Sequence, residues 1–416
     1  VAERLAAEVV VVGAGPAGIA AAVHAAEGGA RVLLLDEAPR PGGQIWRHAS
    51  EPPAGARPWL ERLERTAAGR VTGASVVDVV AQGTLLAERE GQALRVAFQR
   101  LVLATGAREC FLPFAGWTLP GVLGVGGAQA LLKSGGRFAG QRAVVAGSGP
   151  LLVAVAAALA DAGARIAGVA EQAPFGRLVR FGSGLWRHPR KLAEGAAYRL
   201  RFLRAPYRAG SWVRAAEGRE RVERAIVTDG RREWTWECDV LACAFGLAPN
   251  LELPRLLGCV TSGEHAVRIG EDQSTSVPGV FAAGELCGVG GVDQALATGA
   301  IAGLAAAGRP VPAALRAARR REQAFAASLA SAFDPRPELR RLAAPETVVC
   351  RCEDVPLARV QTARSAREAK LVTRAGMGPC QSRVCGPALA FLFGWEPDRV
   401  RPPLKPVALS TLEDEA

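Results

Sequence analysis

No stretch of the 416-residue chain approaches 18 uninterrupted apolar residues, which argues against a membrane-spanning helix. The opening residues, VAERLAAEVVVVGAGPAG, carry no basic leader ahead of a cleavable apolar run; their apolar stretch runs straight into glycines, as a buried strand does. An odd number of cysteines, nine, several of them inside apolar strands, suits no secreted disulfide scaffold. A reducing cytoplasm is the expected compartment. Disulfide-exchange chemistry is missing as well. No cysteine lies between Gly42 and Trp59, and Cys238 and Cys243 flank a strand without an exchange motif. These two, with Cys110, Cys259 and Cys287, read as core residues. The four histidines (His24, His48, His188 and His265) assemble neither a Ser-His-Asp set nor a facial triad. Only His48, after the turn GGQIWR, is placed where it could approach a cofactor edge, and no catalytic residue is assigned to this chain.

What is present reads as a folded chain of two or three domains, with 49% hydrophobic and 22% charged residues. The formal net charge of +11 is concentrated: between Gln172 and Arg219 there are eleven Arg or Lys against two Glu. Two readings stay open for that segment, a solvated insertion surface and a docking face for an acidic partner subunit. Neither a zinc-finger nor a ribonucleoprotein pattern accompanies it, so nucleic acid is not expected as a partner.

The stretch EVVVVGAGPAGIAAAVHAAEGGARVLLLDEA holds the parts of a dinucleotide-binding βαβ unit. Val9 to Val12 predict a buried central strand. Gly13, Gly15 and Gly18 follow at the GxGxxG spacing: the first for the tight turn, the second for close approach of a pyrophosphate, the third for helix-on-strand packing. Pro16 and Ala17 lie between them, and the helix is expected over Ile19 to Glu27. The second strand, Arg31 to Leu35, ends at Asp36 and Glu37; Asp36 is placed to accept both hydroxyls of an adenosine ribose. A second crossing is read in RLVLATGARE, where Ala104, Thr105 and Gly106 close a strand. A third is read at Val280 to Ala283, followed by Gly284, Glu285 and a helix entered through Gly291 near Val292.

Together these three pieces resemble the two-dinucleotide-domain flavoproteins, which include thioredoxin reductase-like and glutathione reductase-like members. The resemblance implies an α/β fold with two Rossmann-like domains and bound FAD. The FAD domain would be discontinuous, 1–115 and 250–325, around an inserted NAD(P)-type domain, 116–249. It further implies that Gly284 and Glu285 lie by the ribitol and pyrophosphate, and that Gly43, Gln44 and the backbone near Val292 lie near the ring. Glu285 stands where the family usually has Asp.

In the middle, RAVVAGSGPLLVAVAAALADAGARIAGVAEQ repeats the βαβ pattern, with Gly147 and Gly149 as the first two glycines and Glu171 ending the next strand. The third glycine is replaced by Leu152, expected to hold the helix off the strand or crowd the turn. NAD(P) use by this domain is therefore in question, and another nucleotide there, or FMN at an interface, is left open.

Cys350, Cys352, Cys380 and Cys385 form C-x-C-x27-C-x4-C near the end of the chain. Two separated thiolate pairs suit a [2Fe–2S] core, in which each iron takes two; zinc and ligand-free thiols are the other readings. A helix is expected over Leu357 to Arg367 and another from Gln381 through Ala390, putting Cys380 just before its positive end and Cys385 inside it. Arg351, Arg374 and Arg383 are either neighbours that raise the potential or plain surface groups. The segment resembles the bacterioferritin-associated-ferredoxin-like [2Fe–2S] domain, small and mainly helical, assigned to 346–416 after a linker over 326–345. The whole arrangement resembles the FAD-containing subunit of multisubunit amino-acid or opine dehydrogenases. That family includes D-hydroxyproline dehydrogenase, octopine/nopaline oxidase and hydrogen cyanide synthase subunits, and is related to the α subunits of heterotetrameric sarcosine oxidase. The resemblance implies a partner flavoprotein that binds and oxidises an imino acid, opine or D-amino acid, and in some systems a small ferredoxin-like subunit. Electrons would pass between the partner flavin, [2Fe–2S] and FAD. The rival is a self-contained NAD(P)H-dependent FAD/[2Fe–2S] reductase of a small redox protein.

Overall fold

The computed structural model describes residues 3–48, 51–262, 266–396 and 399–413. The backbone gathers into two compact units, one of Val1–Arg108, Ala248–Ala327 and Arg399–Ala416, the other of Glu109–Leu247 and Ser328–Asp398.

In the first unit Val9 to Val12 are almost wholly buried, as strand side chains are when both faces are covered. Their strand, Glu3–Val12, runs parallel to Val32–Asp36 on one side and Gln92–Leu103 on the other, with Val9 opposite Val32 and Val10 opposite Leu101. The sheet order is Gly69–Thr72, Val32–Asp36, Glu3–Val12, Gln92–Leu103, Thr84–Arg89 and Ala74–Ala81, and Val280–Ala282 also pairs with Gln92–Leu103. The order turns back beside Glu3–Val12, so the crevice expected of such a sheet opens at the carboxyl end of that strand, at Gly13. Helix Pro16–Glu27, one turn longer at its start than expected, meets helix Val292–Ala306 at backbone range. A Cβ on Gly299 would lie 2.1 Å from the Ala17 carbonyl oxygen, and one on Gly303 2.2 Å from that of Ala21. Glycines four apart are what let the two helices touch. The last described residues pack here too: Leu404 N–H donates to Val77 O (2.7 Å) and Ala408 N–H to the Glu88 carboxylate (2.8 Å). They lie with the first unit, away from the 346–416 grouping expected for them.

The second unit is built on a five-stranded parallel sheet ordered Tyr207–Ala209, Arg165–Glu171, Arg142–Gly147, Val240–Ala244 and Val122–Gly124. Its order turns back at Arg142–Gly147, again just before a glycine turn. A three-stranded antiparallel sheet, Trp212–Glu217, Arg224–Thr228 and Glu233–Glu237, accompanies it. The crowding expected at Leu152 does not occur: the side chain is fully buried among Val145, Val155 and Val169, because helix Leu151–Asp161 starts after Pro150 and turns Leu152 into the core. The residues expected as a linker begin inside helix Ala313–Phe333 and continue through the turn Pro337–Arg341.

The cysteine-bearing segment packs on this unit, where the Trp117 indole N–H donates to Val348 O (2.6 Å) and Arg351 lies over the Trp117 ring. The expected helix Leu357 to Arg367 is two helices, Leu357–Val360 and Ala366–Thr373. The break is written in S-A-R-E: Ser365 Oγ accepts the Glu368 N–H (3.1 Å) and caps a new helix. Ser365→Ala is expected to cost about 1 kcal/mol, read as a lower denaturant midpoint with unchanged slope; no shift would remove the cap from this account.

Candidate functional site

At the first turn Gly13 has φ +103° and its N–H donates to Leu35 O (2.8 Å). A Cβ at Gly18 would fall 1.7 Å from Gly13 O, so helix and turn are in contact. Gly15 behaves differently: φ is −73°, and a Cβ there would have no neighbour nearer than Gly43 Cα at 3.9 Å. Its side of the turn is open. The loop carrying Gly42 and Gly43 returns over it, with Gly42 N–H donating to Ala14 O (2.8 Å). Asp36 accepts from the N–H groups of Ala14 and Ala38, and burial pushes its carboxyl above the ordinary range. Glu37 pairs with Lys405. Gly13, Gly15, Pro16, Ala17, Gly18, Asp36, Glu37 and Gly43 are thus drawn to one turn.

Thr105 and Gly106 close onto a residue the sequence reading passed over. Asn250 Nδ2 donates to Thr105 O (2.7 Å), its backbone N–H to Gly106 O (3.0 Å), and Arg108 Nη1 donates to its Oδ1 (2.8 Å). The signal available was the turn GLAPN, which ends the inserted segment with a residue able to hydrogen-bond two backbones. Ala104 is held by its N–H donating to Val12 O (2.8 Å). Glu285 accepts from Gly291 (2.7 Å) and Gly290 (3.2 Å), with burial raising its pKa. It therefore shapes the loop entering helix Val292–Ala306, while Gly284 N–H donates to Thr298 Oγ1 (3.0 Å). Among the histidines, His24 Nδ1 lies 2.8 Å from Ala20 O and burial lowers its pKa, a packing role; His48 Nδ1 lies 2.7 Å from Trp46 O. His265 lies outside the described residues.

The second turn repeats the arrangement, with a returning segment along one side. Glu171 is fully buried and accepts from Gly149 N–H and Ala173 N–H (both 2.8 Å); burial pushes its carboxyl up to about 7. Across it runs the chain at Phe333–Arg336. Ser148 Oγ donates to Phe333 O (2.7 Å), Gln172 Nε2 donates to Ser148 Oγ (2.9 Å) and reaches Phe333 O and Asp334 O (3.3 Å each), and Arg336 N–H donates to Gln172 Oε1 (3.1 Å). This backbone lies against Ser148 and Gln172 on one side of the turn, while a Cβ on Gly149, its second glycine, would meet nothing within 4 Å.

The late cysteines converge. Cys350, at the end of strand Val348–Cys350, touches Cys385; Cys385 touches Cys380; Cys380 touches Cys352. The expected helix start at Gln381 is corrected: Gln381 and Ser382 have φ +48° and +68°, so the backbone turns and the helix is Cys385–Phe393. That turn folds Cys380 back toward Cys385, which stands at the first helical residue. Gly378 admits the other loop, since a Cβ there would sit 2.2 Å from Cys352 Cβ. Hydrogen bonding with the Cys385 thiol, whose single proton the two share, lowers Cys350 to about 6 and Cys380 to about 5, and raises Cys385 in return. Gly376 N–H also approaches Cys350 Sγ (3.5 Å). Among the described residues no group of three or more His, Cys, Asp or Glu is arranged to hold a metal ion; the four thiols form a chain of contacts, Cys350–Cys385–Cys380–Cys352. Of the nearby arginines, Arg374 pairs with Glu353 (2.7 Å), Arg351 covers Trp117 and Arg383 donates to Gln381 (2.9 Å). Cys238, Cys243 and Cys259 are buried, and Cys110 and Cys287 half-buried; burial raises Cys238 to about 12 and Cys243 well above its usual value.

Residues 7–308 match the family model of the pyridine nucleotide-disulphide oxidoreductases. The chain belongs to that family. It is similar over its length to an opine oxidase subunit of Rhizobium meliloti, at 35% identity covering 98% of each chain. Hydrogen cyanide synthase subunit HcnB of Pseudomonas aeruginosa is 33% identical, over 94% of this chain and 92% of that one. Among solved structures the L-proline dehydrogenase of P. horikoshii shares the fold, with a TM-score of 0.68 and 20% identity over 98% of this chain and 79% of that one. The protein is a flavin-dependent oxidoreductase with an FAD-binding fold. The first turn fits FAD: Gly15 leaves a cradle that a side chain would fill, and Asp36 stands at the strand end. Among the described residues no helix is long and apolar enough to cross a membrane.

Proposed function

We propose that this chain is the electron-transferring flavin and iron–sulfur subunit of a heteromeric dehydrogenase. Its partner flavoprotein would oxidise the C–N bond of an imino acid, opine or D-amino acid such as D-hydroxyproline. The observation that carries the reading is the segment Phe333–Arg336 hydrogen-bonded to Ser148 and Gln172 beside the second glycine turn, where it would compete with NAD(P)H. Full-length similarity to two proteins described as subunits supports it. FAD and a [2Fe–2S] cluster would supply the exchange between two-electron and one-electron transfer. For FAD, Gly13, Gly15 and Gly18 would present the helix N-terminus to the pyrophosphate and Asp36 would take the ribose hydroxyls. For the cluster, the ligands would be Cys350, Cys352, Cys380 and Cys385. The chain of contacts linking all four cysteines and the Gly376 N–H directed at Cys350 Sγ support a shared ligand set.

A second reading, the self-contained NAD(P)H-dependent reductase of a small redox protein, draws more directly on the family match, since pyridine nucleotides are in the family's name. Gly147, Gly149 and Glu171 also retain the outline of a nucleotide turn. An anaerobic titration separates the two. On the first reading, NADH or NADPH reduces less than about a tenth of the bound flavin within minutes, while an imino acid, opine or D-amino acid bleaches it only when the partner is present. Rapid, stoichiometric bleaching by NADH alone would establish the second.

A further inference from the structure

The two helices after strand Arg165–Glu171 hold no fully buried side chain. Phe175–Gly184 and Pro189–Leu200, with the turn Leu185–Arg187 between them, contain no buried residue. They nevertheless carry large apolar side chains: Phe175 is 72% exposed, Trp186 69% and Leu200 64%, with Val179, Leu192 and Leu203 exposed beside them. A surface helix holds its apolar residues on the face it packs, and a cluster of this size left in water marks an interaction site. The charge points to the occupant. This is the segment with eleven Arg or Lys against two Glu, and Arg187 lies over the Trp186 ring at 5.1 Å.

The ridge borders a groove of about 810 Å³ whose walls include Phe175, Val179, Tyr207, Arg208, Arg232 and Trp234. The Arg208 guanidinium sits 3.8 Å over the Trp234 ring, and its Nε is buried with no hydrogen-bond partner. With Arg208, Arg231 and Arg232 against Asp229, the groove lining is net positive and suits a carboxylate.

We infer that helices Phe175–Gly184 and Pro189–Leu200, with the adjoining groove, form the docking face for an acidic protein subunit. This rests on the heteromeric reading above. Apolar side chains of the partner pack on Phe175, Val179 and Trp186, and its carboxylates meet the surrounding arginines, Arg208 among them. The concave groove favours a protein over a lipid surface, which is broad and offers nothing to enter the groove and reach the recessed Arg208.

The test uses the full-length chain isolated from its native cells with whatever proteins accompany it. Trp186→Asp, Val179→Asp and the double change Arg180→Glu with Arg187→Glu are compared with Val260→Asp, an exposed apolar site on the other unit. The docking-face variants are expected to lower co-elution of the acidic partner by at least tenfold while flavin content and melting temperature stay at wild-type values. Wild-type co-elution should weaken as salt is raised. If the wild type carries its partner and the variants hold it equally well, the docking face is wrong and the heteromeric reading survives. If the wild type is isolated alone and reduces its flavin with NADH, the heteromeric reading itself falls. Binding through these residues to phosphatidylglycerol vesicles or DNA in place of a protein partner would also overturn the inference.

Discussion

Gly15→Ala is expected to leave the protein folded and strip it of flavin. The backbone at Gly15 is ordinary for any residue, with φ −73° and ψ −177°, and the nearest atom to an added Cβ is Gly43 Cα at 3.9 Å. Nothing in the protein objects to a methyl group there. The pyrophosphate of a bound dinucleotide would, because the second glycine of this turn is where phosphate oxygens approach the backbone most closely. A hundredfold loss of FAD affinity, about 2.7 kcal/mol, is the expected scale. Gly18→Ala provides the contrast. Its Cβ would lie 1.7 Å from Gly13 O, so helix Pro16–Glu27 must move and the core it packs on moves with it. That variant should lose flavin and melting temperature together. Flavin-to-protein ratio after gel filtration, read beside the thermal midpoint, separates the two. A Gly15→Ala protein that keeps its full complement of flavin would remove the dinucleotide from this turn.

The second large effect is expected at the thiols. If the four thiols hold the proposed cluster, Cys385→Ser and Cys380→Ser should each take the iron content from about two per chain to nearly none, with loss of the reduced-state paramagnetic signal. Cys385 is the hinge of the set: it is buried at the start of helix Cys385–Phe393 and in contact with both Cys350 and Cys380. Cys259→Ala, in the core of the other unit, should keep its iron. The outcome that defeats this assignment is one zinc per chain in the wild-type protein, or iron that survives both serine substitutions.

The clearest features to read were those where a short span demands a particular residue. Gly13 must reach φ +103°, and Gly18 cannot carry a Cβ; Asp36 ends its strand one helix later. Each requirement leaves its residue type in place at a fixed spacing. The Ser365 cap was equally local, but the helix starting at Leu357 was carried through it, so one helix was expected where there are two. The turn at Gln381 and Ser382 was less legible, because two non-glycine residues in the left-handed region carry no compositional mark.

By itself the sequence determined the two glycine turns, the acids that close them and the presence of four late thiols. These depend on backbone sterics within a few residues or on residue identity alone. Tertiary structure decided what those features are free to do. It brought Asn250 onto Thr105 across 145 positions and laid Asp334 beside Gln172 across 162, so that a returning segment flanks the second glycine turn. Such contacts depend on where the whole chain returns after its core is packed, and no local spacing encodes that.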